Sequence, residues 1–189
     1  MPDTSSNSQP RDPIAWNPAE LAENPHQSAE KAGKVRSMFA SIAGSYDLNN
    51  RLHSFGLDQS WRKRTVALAG VRKGDAVLDM ACGTGDLTEA FLQTEAAEVV
   101  GGDFTPEMLD QARRKAARLP EGARPVYEHA DAMNLEYEDQ RFDVVTIAFG
   151  IRNVTDPAAA IKEFARVLRP GGRLVILEFA EPRNPIVRW

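Results

Sequence analysis

The sequence predicts an α/β protein in which a mostly parallel sheet carries helices on both faces. Five short apolar segments alternate with segments of helical periodicity, which is typical of strands joined by right-handed helical crossovers. Three of the apolar segments end in an acid, at Asp79, Asp103 and Asp131. The first leads into a turn of small residues that contains Gly83 and Gly85. Because ligands bind outside the carboxyl ends of parallel strands, these acids and glycines predict a cofactor site.

The composition predicts a cytoplasmic globular protein and excludes several other classes. The 189 residues suffice for one domain with a sizeable core, and 42% hydrophobic and 26% charged residues are ordinary for such a domain. The net charge of −4 argues against non-specific nucleic-acid binding. No apolar run reaches the roughly 18 residues of a membrane span, and the N-terminus lacks the pattern of a signal peptide. A single cysteine and ungrouped histidines predict no disulfide framework and no metal site.

Residues 1–33 differ in composition from the rest of the chain. They are rich in Pro, Ser, Asn and charged residues, and their few apolar residues show no sustained period. Such a segment cannot bury enough apolar surface to fold alone, so we predict a largely disordered tail.

Residues 34–69 predict a helical segment in front of the sheet, with a role in substrate binding or as a lid. Apolar residues recur there with the spacing of two amphipathic helices. The first helix carries Val35, Met38, Phe39 and Ile42 on one face, and the second covers residues 57–69. The polar residues 46–56 between them are either an ordinary connection or a mobile lid over a pocket.

Residues 70–189 predict the cofactor-binding core. Its strands begin at residue 76 and then span 98–103, 124–130, 142–149 and 173–179, with helices over 87–93, 106–119 and from 157 onward. Pro106 and Pro157 suit the first turn of a helix, and Asp156 suits the N-cap before Pro157. The fourth strand is nearly continuous in apolar residues, which predicts a central position in the sheet. Residues 170–172 predict a turn before the fifth strand.

The glycine turn matches neither of the common phosphate-binding motifs. A dinucleotide turn has the spacing G-x-G-x-x-G, and Thr88 stands where its third glycine is expected. The Lys-Ser/Thr pair of a phosphate loop is also absent from the sequence. The acids suit a ligand with ribose hydroxyls and a cationic group, since each charged hydrogen bond contributes roughly 1.5–3 kcal/mol. Asp103 alone fits a nicotinamide dinucleotide as well, and a plain strand-to-helix turn is the alternative without a cofactor.

Four separated blocks of the sequence resemble one enzyme family. They lie within residues 46–61, 83–88, 149–156 and 166–179. The glycine turn followed by Asp103 resembles the S-adenosylmethionine site of class I methyltransferases. The four blocks in order resemble the menaquinone/ubiquinone biosynthesis C-methyltransferases, and the likeness covers residues 34–189. It implies a Rossmann-like class I methyltransferase fold with S-adenosylmethionine as the cofactor.

The resemblance also implies which residues bind the cofactor. Thr84 is expected to contact it, Asp103 its ribose and Asp131 its adenine amino group. The complete expected set is Asp79, Gly83, Thr84, Gly85, Asp103, Asp131, Ala132 and Ala148. Ala148 stands where the family often has a serine, so that hydroxyl contact is absent. Asp58-Gln59 stands where many members have His-Arg, a difference associated with menaquinone-type relatives.

The implied reaction is methylation of a ring carbon of a prenylated hydroquinone, with S-adenosylhomocysteine as the second product. The carbon becomes nucleophilic when the adjacent hydroxyl loses its proton, and it must lie about 3–3.5 Å from the sulfonium methyl. The expected catalytic residues are Arg152, Asn153 and Tyr46, with Asp47 and His53 as further candidates. Arg152 cannot act as a conventional base, but it can stabilise the phenolate. A structural ion pair is its alternative role.

The implied partners are the quinol and, because its tail is hydrophobic, the inner face of the cytoplasmic membrane. The amphipathic residues 35–42 and the basic group 62–64 are candidates for that peripheral contact, although both could simply cover the sheet and face water. A homodimer stays open, and no nucleic-acid partner is expected. The alternatives are a methyltransferase for another small molecule, an inactive cofactor-binding fragment and, more distantly, a nicotinamide dehydrogenase.

The chain ends at Trp189, shortly after the fifth predicted strand. Methyltransferases of this fold continue through a further helix and an antiparallel hairpin, so we expect that hairpin to be missing and the cofactor half to be complete. Strand five would then form an exposed apolar edge. A fragment or a truncated gene product is the expectation.

Overall fold

The computed structural model describes residues 31–180, and three helices come first in this range. They are α1 (Lys31–Ile42), α2 (Tyr46–His53) and α3 (Leu57–Ala69). Helix α1 begins three residues before the predicted domain boundary, and the rest of the predicted tail, residues 1–30, lies outside the described residues. Residues 181–189 also lie outside them.

Five parallel strands and three further helices follow, alternating as the sequence predicts except that β3 and β4 have no helix between them. The strands are β1 (Ala76–Met80), β2 (Glu98–Asp103), β3 (Val126–His129), β4 (Phe142–Ala148) and β5 (Leu168–Leu177). The helices are α4 (Asp86–Phe91), α5 (Pro106–Ala116) and α6 (Pro157–Val167), with short 3-10 turns at Glu121–Ala123 and Ile151–Asn153. The strand order is β3-β2-β1-β4-β5, so β1 is the central strand and β4 is its inner neighbour.

The core lies on both faces of the sheet because successive side chains of a buried strand point to opposite sides. All five residues of β1 are buried. Leu78 packs with Val145 and with Phe164 of α6 on one face. Val77 packs with Val144 and with Phe91 of α4 on the other. Helices on both faces are therefore confirmed.

The predicted helix start at Asp156 is confirmed in detail. The Asp156 carboxylate accepts hydrogen bonds from the backbone N–H groups of Ala158, at 2.9 Å, and Ala159, at 3.0 Å. Pro157 occupies the first turn, where it gives up no helical hydrogen bond.

The segment 46–56, left open by the sequence as a connection or a lid, contains helix α2 over Tyr46–His53. One local prediction needs correction. The predicted turn at residues 170–172 lies inside β5. Phe142 pairs with Leu168 and Val144 with Arg173, so residues 169–172 bulge out opposite Asp143. Gly171, with φ of +80°, supplies the left-handed residue that this bulge needs.

Within residues 31–180, β5 pairs with β4 alone and so forms one edge of the sheet. Its Ile176 is 42% exposed, in line with the apolar edge that the sequence predicts. In the same range, every helix is too short or too polar to cross a membrane.

We expect Asp156→Ala to lower the free energy of unfolding by about 1 kcal/mol, since it leaves two N–H groups at the start of α6 without an acceptor. Urea denaturation measures the change. Asp110→Ala is the control, because Asp110 makes only an exposed ion pair with Arg113 among the contacts seen. Equal stability losses in the two variants would contradict the assigned N-cap.

Candidate active site

A cleft opens at the carboxyl ends of β1, β2 and β4, where the sequence places its acids. Seven predicted site residues line it: Tyr46, Gly83, Asp103, Asp131, Ala132, Ala148 and Asn153. Four others, Asp79, Thr84, Gly85 and Arg152, are not among its lining residues. The cleft is mostly apolar, with Met80, Phe104, Met108 and Met133 among its walls, and Asp103 is its most buried acid.

Asp103 joins the two turns that form the floor of the cleft. Its carboxylate accepts one hydrogen bond from the Gly83 N–H and one from the Thr105 N–H, each 2.8 Å long. The residue is 8% exposed, and this burial raises the pKa of Asp103 above its ordinary value despite the two donors. A buried carboxylate facing a cleft is able to bind a ligand that brings its own hydroxyl donors.

The chain leaves β1 and β4 through the same unusual backbone conformation. Ala81 and Phe149, the residues directly after these strands, have φ of +51° and +57°. Left-handed conformations of non-glycine residues cost about 1–3 kcal/mol and collect at functional sites. Gly150 allows the two turns to touch, because a Cβ on it would lie 2.5 Å from the Ala81 Cβ.

The absence of a side chain at Gly85 makes room for Tyr127. Tyr127 of β3 is 7% exposed, and its ring lies against both Gly85 and Gly101 of β2. A Cβ on either glycine would lie 2.8 Å from a Tyr127 ring carbon. Gly85 therefore has a packing role, because it leaves room for the Tyr127 ring. The sequence signal was Gly101, since a glycine inside a strand marks a close approach of another group.

Asp79 lies behind the glycine turn and is 1% exposed. Its two carboxylate oxygens accept hydrogen bonds from the hydroxyls of Thr88, at 2.7 Å, and Thr146, at 2.8 Å. Burial is the main cause that raises the pKa of Asp79 to about 6, against the lowering effect of both hydroxyls. Asp79 thus connects β1 to α4 and β4, and it acts on the cleft by positioning the turn.

Thr84 faces helix α2 instead of the cleft. Its hydroxyl donates a hydrogen bond to Asp47, which also lies 3.0 Å from the Lys115 Nζ. Lys115 in turn binds Asp86 at the start of α4. Asp86 also accepts a 3.2 Å hydrogen bond from Gln59, one of the two residues at which this chain departs from the usual His-Arg. Sequence reasoning missed Lys115 because nothing local links it to residues 29 and 68 positions away.

Helix α1 covers the cleft. Ala32, Val35 and Phe39 line it, so the apolar face proposed for membrane contact points inward instead. Lys31, which is 5% exposed, fixes the start of the helix by donating to the carbonyl oxygens of Arg152, at 3.1 Å, and Val154, at 2.7 Å. Burial lowers the pKa of Lys31 from its ordinary value.

The three residues of the basic group 62–64 do not share one surface, because one of them is buried. Arg62 is 9% exposed and forms a 2.7 Å ion pair with Asp58 on the same helix. Lys63 and Arg64 are exposed. His53 is exposed on α2, and its Nδ1 lies 2.7 Å from the Asn49 carbonyl oxygen.

An aromatic cluster adjoins the residues after β4. The rings of Trp61, Phe149 and Phe179 lie with centroids 4.8–5.9 Å apart. Arg152 lies 5.4 Å from the Phe179 ring centroid and forms a 3.1 Å ion pair with Glu178. The ion pair considered for Arg152 from the sequence is therefore present. Its side chain is half exposed.

We expect Gly85→Ala to lower the free energy of unfolding by about 2–5 kcal/mol, because the methyl group overlaps Tyr127 and φ is +89°. Gly83→Ala is the matched control. Its φ is also positive, at +57°, but its nearest neighbour, Tyr46, would lie 3.7 Å away, so we expect about 1–2 kcal/mol. Chemical denaturation compares them, and equal losses would contradict the role given to Tyr127.

We expect Asp79→Asn to remove a pH dependence of stability. Because the pKa of Asp79 is raised in the folded protein, folding favours its protonated form, and stability falls as pH rises from about 4 to 6. Each pKa unit corresponds to about 1.4 kcal/mol. Thermal unfolding at pH 4 and pH 7 should show a smaller loss in Asp79→Asn than in the unmodified chain or in Asp110→Asn. Parallel losses in all three would contradict this assignment.

Comparison with known proteins identifies the family. The model of the ubiE/COQ5 methyltransferase family matches residues 27–189. Two relatives carry the name ubiquinone/menaquinone biosynthesis C-methyltransferase UbiE. The one from Pseudoalteromonas translucida is 44% identical, and the one from Francisella philomiragia is 46% identical, each over 160 residues and 84% of this chain. The chain spans 64% of the length of either relative.

Solved structures share the fold. A putative methyltransferase from Bacillus halodurans is 28% identical with a TM-score of 0.60, covering 67% of this chain and 54% of its own. The YcgJ protein from Bacillus subtilis is 27% identical with a TM-score of 0.61, covering 68% of this chain and 54% of its own. The Rossmann-like methyltransferase fold that the sequence predicts is therefore confirmed. With its cleft, its sheet order and its family match, the chain belongs to the ubiE/COQ5 methyltransferase family.

Proposed function

We propose that the chain carries out S-adenosylmethionine-dependent C-methylation of a prenylated hydroquinone, the step from demethylmenaquinol to menaquinol or its equivalent on the ubiquinone route. The observation that carries the proposal is a largely apolar cleft with Asp103 in its floor, in a chain about 45% identical to enzymes named for that reaction.

The residues of the cleft fit S-adenosylmethionine. Asp103 is suited to accept hydrogen bonds from both ribose hydroxyls. Burial raises its pKa, and hydrogen bonds donated by a ligand would lower it by stabilising the carboxylate. Asp131 and Ala132 are proposed at the adenine, with Phe104 and Met133 as apolar surfaces beside it. Ala81, Gly83 and Ala148 present little side chain and leave room for the ligand. When bound, S-adenosylmethionine supplies an electrophilic methyl group on its sulfonium.

Asp79, Thr84 and Gly85 are proposed to support the cofactor site from behind. Asp79 holds the end of β1 through two hydroxyls, and Gly85 admits Tyr127 beneath the turn. Thr84 binds the roof helix α2 through Asp47. In these roles the three residues shape the glycine turn without touching the cofactor through their side chains.

Tyr46 and Asn153 are proposed to hold the acceptor ring, because both line the cleft. Arg152 is proposed to stabilise the phenolate that forms when the ring hydroxyl loses its proton to water. Its guanidinium is half exposed. With the cofactor bound, its methyl group would pass to the ring carbon, S-adenosylhomocysteine would be the second product, and the proton of that carbon would go to water. The role of the chain is to orient these groups and exclude water.

A peripheral membrane contact is proposed through helix α2 and the start of α3, not through α1. Leu48 and Leu52 of α2 are 62% and 64% exposed and lie four residues apart on one face. Phe55, in the turn after α2, is 93% exposed, and Leu57 at the start of α3 is 53% exposed. Arg51 lies on α2 and is exposed. An amphipathic surface of this kind suits the boundary between headgroups and acyl chains. The homodimer that the sequence leaves open is the alternative occupant, and light scattering without lipid distinguishes the two.

We expect Asp103→Asn to weaken S-adenosylmethionine binding about 10- to 100-fold, which is the effect of losing a charged acceptor. Asparagine keeps the size of the side chain, but its one acceptor oxygen can serve only one of the two N–H groups that Asp103 binds, so thermal unfolding checks that the variant stays folded. Calorimetry with S-adenosylmethionine measures the affinity, and Asp110→Asn is the exposed control with the same change of charge. Unchanged affinity in Asp103→Asn would contradict the proposed ribose contact.

The same preparation tests the reaction. Methyl transfer to demethylmenaquinol in detergent or lipid is the expected result. Turnover only with a different acceptor would favour a same-fold methyltransferase for another small molecule. Cofactor binding without any turnover would favour an inactive cofactor-binding protein, and binding of a nicotinamide dinucleotide in its place would overturn the cofactor assignment.

A further inference from the structure

Lys115, near the end of α5, binds two carboxylates that come from different parts of the chain. Its Nζ lies 3.0 Å from Asp47 Oδ2 of α2 and also binds Asp86 Oδ1, in the first turn of α4. We call these two contacts the Lys115 bridge. Neither the family resemblance nor the cleft assigns any role to Lys115, which does not line the cleft.

Two further side chains complete the contacts of the acids. Asp47 uses its second oxygen to accept from the Thr84 hydroxyl in the glycine turn. Asp86 uses its second oxygen to accept from Gln59 of α3, at 3.2 Å. The bridge therefore connects the helices that precede the sheet with the turn that enters the cleft.

The charges explain why a cation is needed at this point. The side chains of Asp86 and Asp47 are 12% and 27% exposed. Burial raises the pKa of the nearby Glu89, and the negative charges of Asp86 and Asp47 raise it further. Burial alone would lower the pKa of Lys115, but Asp86 and Asp47 together raise it. Without the ammonium group, two partly buried carboxylates would face each other across the α2–α4 contact.

The position of Tyr46 depends on the residue that follows it. Tyr46 lines the cleft, and its Cε1 lies 3.7 Å from the place where a Cβ on Gly83 would be. Its ring also contacts Phe39 of α1 edge-on, with centroids 6.0 Å apart. Because Asp47 is held by both Thr84 and Lys115, Tyr46 is fixed above the turn whose Gly83 N–H binds Asp103.

We propose that Lys115 is a positioning residue for methyl transfer, holding α2 against the glycine turn and thereby placing Tyr46 over the reacting groups. The proposal rests on the proposed function. The floor of the cofactor site is held separately, by Asp103 and Asp79, so loss of Lys115 should act on turnover more than on cofactor affinity.

The test compares Lys115→Met with Arg114→Met, an exposed neighbour on the same helix that loses the same charge. We expect Lys115→Met to lower kcat about 10- to 100-fold, the scale expected for misplaced reacting groups. The affinity for S-adenosylhomocysteine, measured by calorimetry, should change less than about threefold, since Asp103 keeps its contacts. Lys115→Arg should restore most of the rate because its guanidinium reaches both acids. Arg114→Met should behave like the unmodified chain.

Hydrogen exchange gives a readout that needs no substrate. Amides of α2 should exchange faster in Lys115→Met than in Arg114→Met, which would remain visible even if the proposed acceptor were wrong. If Lys115→Met does not fold, Asp47→Asn, Lys115→Gln and their combination take its place, and the two single losses of rate should combine less than additively. Wild-type kcat with unchanged exchange in α2, or additive losses, would overturn the proposal.

Discussion

A buried carboxylate in the central strand sets the geometry on which the cleft depends. Asp79 is 1% exposed, and its two oxygens bind Thr88 of α4 and Thr146 of β4. A buried acid without these donors would cost far more to bury than it returns. The contacts fix where the chain leaves β1, and from that point Ala81 takes its left-handed conformation and Gly83 reaches Asp103.

The glycine turn consequently makes contacts on two sides, one facing the cleft and one facing away from it. Toward the cleft, Gly83 leaves room and donates to Asp103, which joins the ends of β1 and β2. Away from it, Gly85 lies against Tyr127, and Thr84 binds Asp47. A single turn thus connects the floor of the site, the packing of β3 and the helices above the cleft. Small changes in this turn should affect both stability and ligand binding for that reason.

Much of the fold followed from local patterns, and much of the site did not. Apolar strands ending in Asp79 and Asp103, and the Asp156-Pro157 helix start, are local signals, and β2 and α3 occur at the predicted residues. The family pattern named the acids and glycines of the site, but it did not show which of them line the cleft and which lie behind it. Tyr127 and Lys115 act across the fold, on partners that only the packing of β3 and α5 brings near. The sequence left open whether the apolar face of α1 meets a membrane or covers the sheet, because periodicity shows that a face is apolar, not what it covers.

The central claim is that the cleft between Asp103 and helix α1 binds the cofactor, with the acceptor on the side of Tyr46 and Asn153. A crystal structure with S-adenosylhomocysteine tests it most directly. The account predicts ribose hydroxyls within hydrogen-bonding distance of Asp103, adenine beside Asp131 and Ala132, and the thioether facing Tyr46. A ligand bound elsewhere, or one whose ribose makes no contact with Asp103, would contradict it.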